Sequence, residues 1–324
     1  AVVEGVYVGA EGWVAGLAKE RRVISFDLPG FGLTGPFEGQ YERDNYHGDV
    51  YARFVLDLLE RQKPERIAVA FDQSLESNFR NALYPAYKAN REPAPEELKR
   101  QFAHCQRLCR ALGLPVLADG RYEADDLIGS ALGQVRRAGH AGLIISADKD
   151  LSQLLDGDDE QWDYARNERW RADGVKARYG VHAHQVADYL GLTGDAIDNI
   201  PGVPGIGPKT AATLLGHFGS LDELYQRLAE VPYLRMRGSA QHAARLAEHR
   251  EVALLSRRLA TIDVNAPLPA DFGVAERRAP ETAALGALAE DLRFGPMTRR
   301  RLFNAAGMAD PLPTPSFSNS GEPA

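Results

Sequence analysis

Cysteine is almost missing: Cys105 and Cys109 are the only two in 324 residues. Four positions apart in a helical pattern, they stand on adjacent turns, which disfavours a disulfide and leaves too few soft ligands for a metal site. They read as reduced structural thiols. Long apolar runs are missing too. No stretch approaches the roughly 20 apolar residues of a membrane span, which excludes membrane insertion by a hydrophobic helix. The opening AVVEGVYVGA lacks a basic start and a long apolar core. It does not read as a secretion signal, and the expected location is the cytoplasm. Nor is positive charge in excess. With 38 basic and 45 acidic side chains the net charge is −7, which taken as an average argues against a phosphate-binding surface.

The average hides a distribution. Basic residues gather around positions 80–110, 235–258 and 293–301, while acidic ones sit in a few compact clusters. A carboxylate-rich metal site flanked by cationic surfaces for nucleic acid produces this pattern. A hydrophobic content of 44% with 26% charged residues is that of an ordinary globular protein, long enough for one large domain or two smaller ones.

From residue 64 onward, apolar runs of strand type alternate with helical patterns: RIAVAFD, EELKRQFAHCQRLCRALG, LPVLAD, ADDLIGSALGQVRRAG and AGLIISADKD. This alternation predicts an α/β fold, a central mainly parallel sheet with flanking helices. After about residue 175 the strand signal fades into helices punctuated by Gly and Pro. The expected organisation is an atypical segment over 1–60, an α/β core over 61–175, a helical region over 176–265, an extension packing on the core over 266–308, and a disordered tail over 309–324.

Chemistry in such sheets sits at the carboxyl ends of strands. Asp72 ends RIAVAFD, Glu123, Asp125 and Asp126 open the helix after LPVLAD, Asp148 and Asp150 follow AGLIIS, and Asp195 and Asp198 lie in GDAIDNIPG. Mutual repulsion among so many carboxylates calls for cations. Two hard ions such as Mg²⁺ or Mn²⁺ would suit oxygen ligands and phosphodiester hydrolysis. The alternative for each acid alone is a helix cap or a solvated loop.

GVPGIGPKTAATLL, residues 202–215, has the glycine spacing of a helix-hairpin-helix turn that enters a helix at Pro208. Backbone amides of Gly202, Val203, Gly205, Ile206, Gly207, Lys209 and Thr210 are candidates to meet DNA phosphates, with a potassium ion in the turn as a further expectation. A purely structural turn is the alternative. In FRNALYPAYKANR, residues 79–91, Arg80, Lys88 and Arg91 interleave with Tyr84 and Tyr87, offering cations for phosphate and rings for an unpaired base. A solvated amphipathic helix would look similar.

Together these segments resemble the bacterial and phage 5′-3′ exonuclease family, which includes the nuclease domain of DNA polymerase I and stand-alone flap endonucleases. The resemblance runs over about residues 60–265, through FD at 71, FR at 79, YPAYKANR at 84, YEADD at 122, ADKD at 147 and GDAIDNIPGVPGIGPKTAA at 194. It implies a first metal region at Asp72, Glu123, Asp125 and Asp126, and a second at Asp148, Asp150, Asp195 and Asp198. It also implies Lys88 and Arg91 on a helical arch or clamp that threads the 5′ strand and steadies the scissile phosphate, a further phosphate contact from Arg80, and a hairpin turn that grips the duplex. The implied partners are 5′ flaps, nicked or branched DNA and RNA primers. The implied protein is a stand-alone, monomeric nuclease.

Residues 1–60 depart from that family. EGWVAGLAKERRVISFDLPGFGLTGP, residues 11–36, resembles the early strand and DxxGxG loop of α/β-hydrolases, so the chain looks like a chimera joined between residues 45 and 65. An esterase is not expected, because no GxSxG nucleophile motif occurs. Asp27, ending RRVISFD, is the first candidate to stand where the family's first carboxylate stands, with Glu4 second. The competing reading is a structure-specific DNA-binding protein whose replaced N-terminal strand impairs catalysis.

Overall fold

The computed structural model describes residues 48–73, 78–91 and 96–309. Asp27, Glu4, the hydrolase-like stretch and the expected tail past residue 309 lie outside the described residues.

Helix α1 (Gly48–Gln62) buries Ala52, Val55, Leu56 and Leu59, the i, i+3, i+4, i+7 stripe of an amphipathic helix. Strand β1 (Val69–Asp72) follows, then the short α2 (Phe79–Leu83), the longer α3 (Glu96–Ala111) and β2 (Val116–Asp119). β1 and β2 pair in parallel with Asp72 opposite Asp119. Helix α4 (Ala124–Arg137) leads to β3 (Leu143–Ile145), which pairs in parallel with β4 (Glu160–Asp163). β4 turns back into the antiparallel β5 (Glu168–Arg171). Both parallel pairs fit the expected α/β class. Among the described residues, however, the strands form two small sheets, and the β4–β5 hairpin was not anticipated. Its strands, EQWD and ERWR, carry too much charge to advertise themselves, yet all four β4 residues are buried.

Alternation along the strands sorts their side chains into two apolar layers. Ala68, Ala70 and Ile144 face one layer, with α4 and the later helices, whereas Ile67, Val69, Phe71, Leu143 and Ile145 face the other, with α1 and α3. Cys105 and Cys109 are free and buried in that second layer, and burial raises the Cys105 thiol far above its ordinary value. The chain then runs through α5 (Ala172–Tyr179), α6 (Val186–Thr193), α7 (Pro208–Phe218), α8 (Leu221–Gln226), α9 (Ser239–Glu248) and α10 (Arg250–Ala260). α6 and α10 cross closely because Gly191 has no side chain: a Cβ there would lie 2.9 Å from the Cβ of Arg257. Finally α11 (Thr282–Asp291) and α12 (Pro296–Ala305) return to the second layer, where Arg301 of α12 reaches Asp57 and Glu60 of α1. No described helix is long and apolar enough to cross a membrane.

Candidate active site

Strand ends and loop junctions assemble a crevice of carboxylates. Asp72 closes β1 and accepts the Ala124 N–H at 2.7 Å, which ties the strand end to the first turn of α4. Glu123 is the N-cap of α4 and shares a capping box with Asp126. Past β3, the Asp150 N–H donates to Asp148 Oδ1 at 2.8 Å. Gln161 of β4 fixes that loop by donating to the carbonyls of Ser146 and Asp148.

The run after α2 carries the cations. Residues 85–90 form successive turns, so Lys88 does not sit on a helix; its φ is 54°. The run is stitched to the 195–199 loop: Lys88 N–H donates to the Asp198 carbonyl, Asn90 to that of Ala196, and Asn199 to that of Ala86. Lys88 Nζ therefore sits 2.5 Å from Glu123 Oε1 and 3.7 Å from Asp198 Oδ2. Arg91 reaches Asp198 Oδ1 at 2.5 Å, and Lys149 reaches Asp195 Oδ2 at 2.5 Å.

Electrostatics show that the acids share one neighbourhood. Lys88 is held well above its ordinary pKa: burial opposes its charge, but Glu123, Tyr87, Asp198 and Asp72 outweigh burial. Asp72 keeps solvent access at its strand end, yet the crowding of protein around its carboxyl raises it, with Lys88 opposing and Glu123 adding to the rise. Burial also raises Asp148 and Asp150; each feels Asp198, and Asp150 feels Asp148 and Asp195 as well. Burial pushes Glu123 up, but Lys88 and Arg80 overcome it and hold the carboxyl below its usual range. Asp72, Glu123, Asp148, Asp150, Asp195 and Asp198 thus converge. Asp125 lies half-buried in the first turn of α4.

Among the described residues, no three acidic, His or Cys side chains close around a common point suited to a metal ion. Lys88, Arg91 and Lys149 stand between the carboxylates instead. The donor set nonetheless fits a hard divalent ion. It is all oxygen, and Asp150 Oδ1 is buried without a hydrogen-bond partner.

Three expectations are corrected. Arg80, expected at a phosphate, is 2% exposed and forked onto Asp126 at 2.8 Å through both terminal nitrogens. Asp126, expected at a metal, is 0% exposed and consumed by Arg80 and two backbone amides. Tyr87, expected to stack on a base, is buried, and its hydroxyl donates to Glu123 Oε2 at 3.0 Å. Tyr84 is half-buried against the core. Sequence reasoning missed Lys149, Gln161 and Asn199. The Lys between two aspartates in ADKD was the one available signal.

On the helical side, Gly207 caps α7 and Pro208 takes its first position. Gly202 and Gly205 adopt φ of 62° and 76°, and a Cβ on Gly202 would fall 2.2 Å from the Gly194 nitrogen. Gly207 needs no such freedom: its φ is −93°, and a Cβ there meets nothing within 4 Å. Val203 and Ile206 point into the core, and the amides of Gly202, Val203 and Ile206, expected at phosphates, are spent inside the protein: Gly202 N–H donates to Ser256 Oγ at 3.0 Å, Val203 N–H to the Leu192 carbonyl at 2.8 Å and Ile206 N–H to the Val203 carbonyl at 3.0 Å. Lys209 is exposed and Thr210 half-buried. Arg245 of α9 lies over the turn, its Nη1 3.4 Å from the Gly205 carbonyl.

The chain is similar to DNA polymerase I of Pseudomonas aeruginosa, 41% identical over 242 residues that make up 74% of this chain and 26% of that protein. It is also similar to the thermostable DNA polymerase I of Thermus filiformis, 37% identical over 76% of this chain and 28% of the relative. The chain therefore spans about a quarter of the length of these relatives. In fold it is similar to T5 5′-exonuclease with bound zinc ions, at TM-score 0.61 and 18% identity, covering 89% of this chain and 100% of that one. The catalytic core of Rad2 in complex with DNA substrate aligns at TM-score 0.60 and 13% identity, covering 91% and 95%. The family model for the 5′-3′ exonuclease N-terminal resolvase-like domain matches residues 47–180, and that for its C-terminal SAM fold matches residues 181–283. With both halves matched in order, the crevice drawing carboxylates from both and the hairpin turn lying in the second, the chain belongs to the 5′-3′ exonuclease family.

Proposed function

We propose that the protein hydrolyses DNA phosphodiesters near 5′ ends, flaps or nicks with the help of divalent cations, Mg²⁺ or Mn²⁺. The observation that carries this reading is the meeting of carboxylates from four separate stretches, Asp72, Glu123, Asp148 and Asp198, around the ammonium of Lys88, with Lys149 joining Asp195 beside them. T5 5′-exonuclease with its metal ions and Rad2 with its DNA substrate support it. Asp72, Glu123 and Asp125 would hold one ion, and Asp148, Asp150, Asp195 and Asp198 the other. When bound, such a pair activates water and offsets charge on the leaving oxygen. Lys88 and Arg91 orient the scissile phosphate, exchanging their carboxylate partners for its oxygens. The exposed side of the turn, at Gly205, Gly207, Lys209 and Thr210, grips duplex phosphates through backbone amides and the positive charge of Lys209 and Arg245, with K⁺ as the ion suited to the turn's carbonyls. RNA primers fall within the substrate class, and the reading includes a monomer working in the cytoplasm.

The test is cleavage of a 5′-flap oligonucleotide in Mg²⁺ against an EDTA control. Short 5′ products in Mg²⁺ alone are the expected result, and an intact substrate in both would overturn the reading. One observation favours a second reading, DNA binding with weak cleavage. The family match begins at residue 47, leaving Asp27 outside it. Tight flap binding without products would select that reading, and an Asp27→Ala variant that cleaves like the parent would remove Asp27 from the site.

A further inference from the structure

Arg80 makes contacts that neither a phosphate-binding role nor simple packing requires. It caps no surface and meets no solvent, being 2% exposed. Its guanidinium reaches in two directions at once. Toward the α/β core it donates to both oxygens of Asp126 at 2.8 Å and to Glu123 Oε2 at 3.3 Å. Toward the helical region it donates from Nε to the Leu259 carbonyl at 2.8 Å and from Nη2 to the Thr261 carbonyl at 2.9 Å. Leu259 is the second-last residue of α10 and Thr261 its C-cap. Asp126 closes the loop by accepting the Asp263 N–H at 2.8 Å and the Glu123 N–H at 3.0 Å.

We propose that Arg80 is a positioning residue, a buried strut through which the C-terminal end of α10 holds Glu123 in the carboxylate crevice. The assignment of the crevice as the reaction site rests on the nuclease reading above. The strut fixes more than a single carboxyl. Glu123 Oε2 also accepts Tyr87 O–H and Glu123 Oε1 accepts Lys88, so a shift of Glu123 moves both. It also gives the two family segments, 47–180 and 181–283, a shared polar joint. Displacement of the helical region on DNA is then felt at Glu123 without any chain of solvent-exposed contacts. Only a planar, five-donor cation can serve all four partners together; a lysine in that place keeps the charge and loses the fork.

The experiment uses Arg80→Lys in the full chain, with Asp126→Asn as a second variant that keeps side-chain size and removes the charge under the fork. Three readouts are compared with the parent: duplex affinity in Ca²⁺, single-turnover cleavage of a 5′ flap in Mg²⁺, and peptide-resolved hydrogen exchange without DNA or metal. The expected result for both variants is unchanged duplex affinity and a cleavage rate lower on the order of 100-fold, the scale set by a misplacement of about 1 Å. Exchange should rise together in peptides covering 121–128 and 258–264. Parent-like cleavage, a rise in only one of the two segments, or a uniform rise along the whole chain would overturn the proposal. If the parent itself leaves the flap intact, the nuclease reading fails by that result. The strut is then judged on exchange alone: a paired rise upholds it and its absence sinks it.

Discussion

Under the proposed function, the carboxylate crevice and the hairpin turn at 202–210 would meet phosphate in opposite ways. In the crevice, side chains do everything. Buried carboxylates from distant stretches are balanced against Lys88, Arg91 and Lys149, and geometry depends on which acid each cation holds. In the turn, the backbone does the work. Gly202 and Gly205 take left-handed conformations, Val203 and Ile206 anchor the loop from beneath, and the face left outward is made of Gly205, Gly207, Lys209 and Arg245. Damage to the crevice should therefore appear in rate, and damage to the turn in fold or affinity, according to what each glycine is for.

The largest test of that contrast is Lys88→Ala. Losing the ammonium that faces Glu123, Asp198 and Asp72 should slow single-turnover flap cleavage on the order of 100- to 1,000-fold. Duplex affinity should hold, because the hairpin is untouched; an equal loss in both would dissolve the division of labour. Next comes Gly202→Ala. Its φ of 62° and the backbone of Gly194 at 2.2 Å leave no room for a methyl group. Thermal unfolding should show a loss of about 3 kcal/mol, roughly 6–12 °C in Tm.

Gly207→Ala sharpens the comparison within the turn. At φ −93° with open space around the new Cβ, the melting temperature should stay within about 2 °C of the parent, since surface changes of this type cost at most about 0.5 kcal/mol. Duplex affinity measured by fluorescence anisotropy should nevertheless fall, because a methyl group there keeps a phosphate away from the amides. An unchanged affinity would move the DNA contact elsewhere. The smallest effect belongs to Lys209→Ala: the slope of log affinity against log salt should drop by about 1, with little change in cleavage of saturated substrate.

The sequence by itself determined a good part of this protein. Strand and helix periods located β1, β2, β3 and the start of α7 at Pro208, and terminal aspartates on apolar runs marked the crevice, because period and composition are local properties of the chain. The strands β4 and β5 escaped, since EQWD and ERWR look solvent-facing until the tertiary fold buries all of β4 and Trp170 of β5 and turns Gln161 into a support for the Asp148 loop. Sequence also could not rank one cation above another within residues 79–91. Arg80 and Arg91 are the same residue type in the same basic run, yet one is sealed under α10 and the other stays partly open beside Asp198. The same holds for Asp125 and Asp126, adjacent acids of which only the second is fully enclosed. Whether a charge meets solvent, substrate or a buried partner depends on residues more than a hundred positions away, and only the folded chain brings those to within hydrogen-bonding distance.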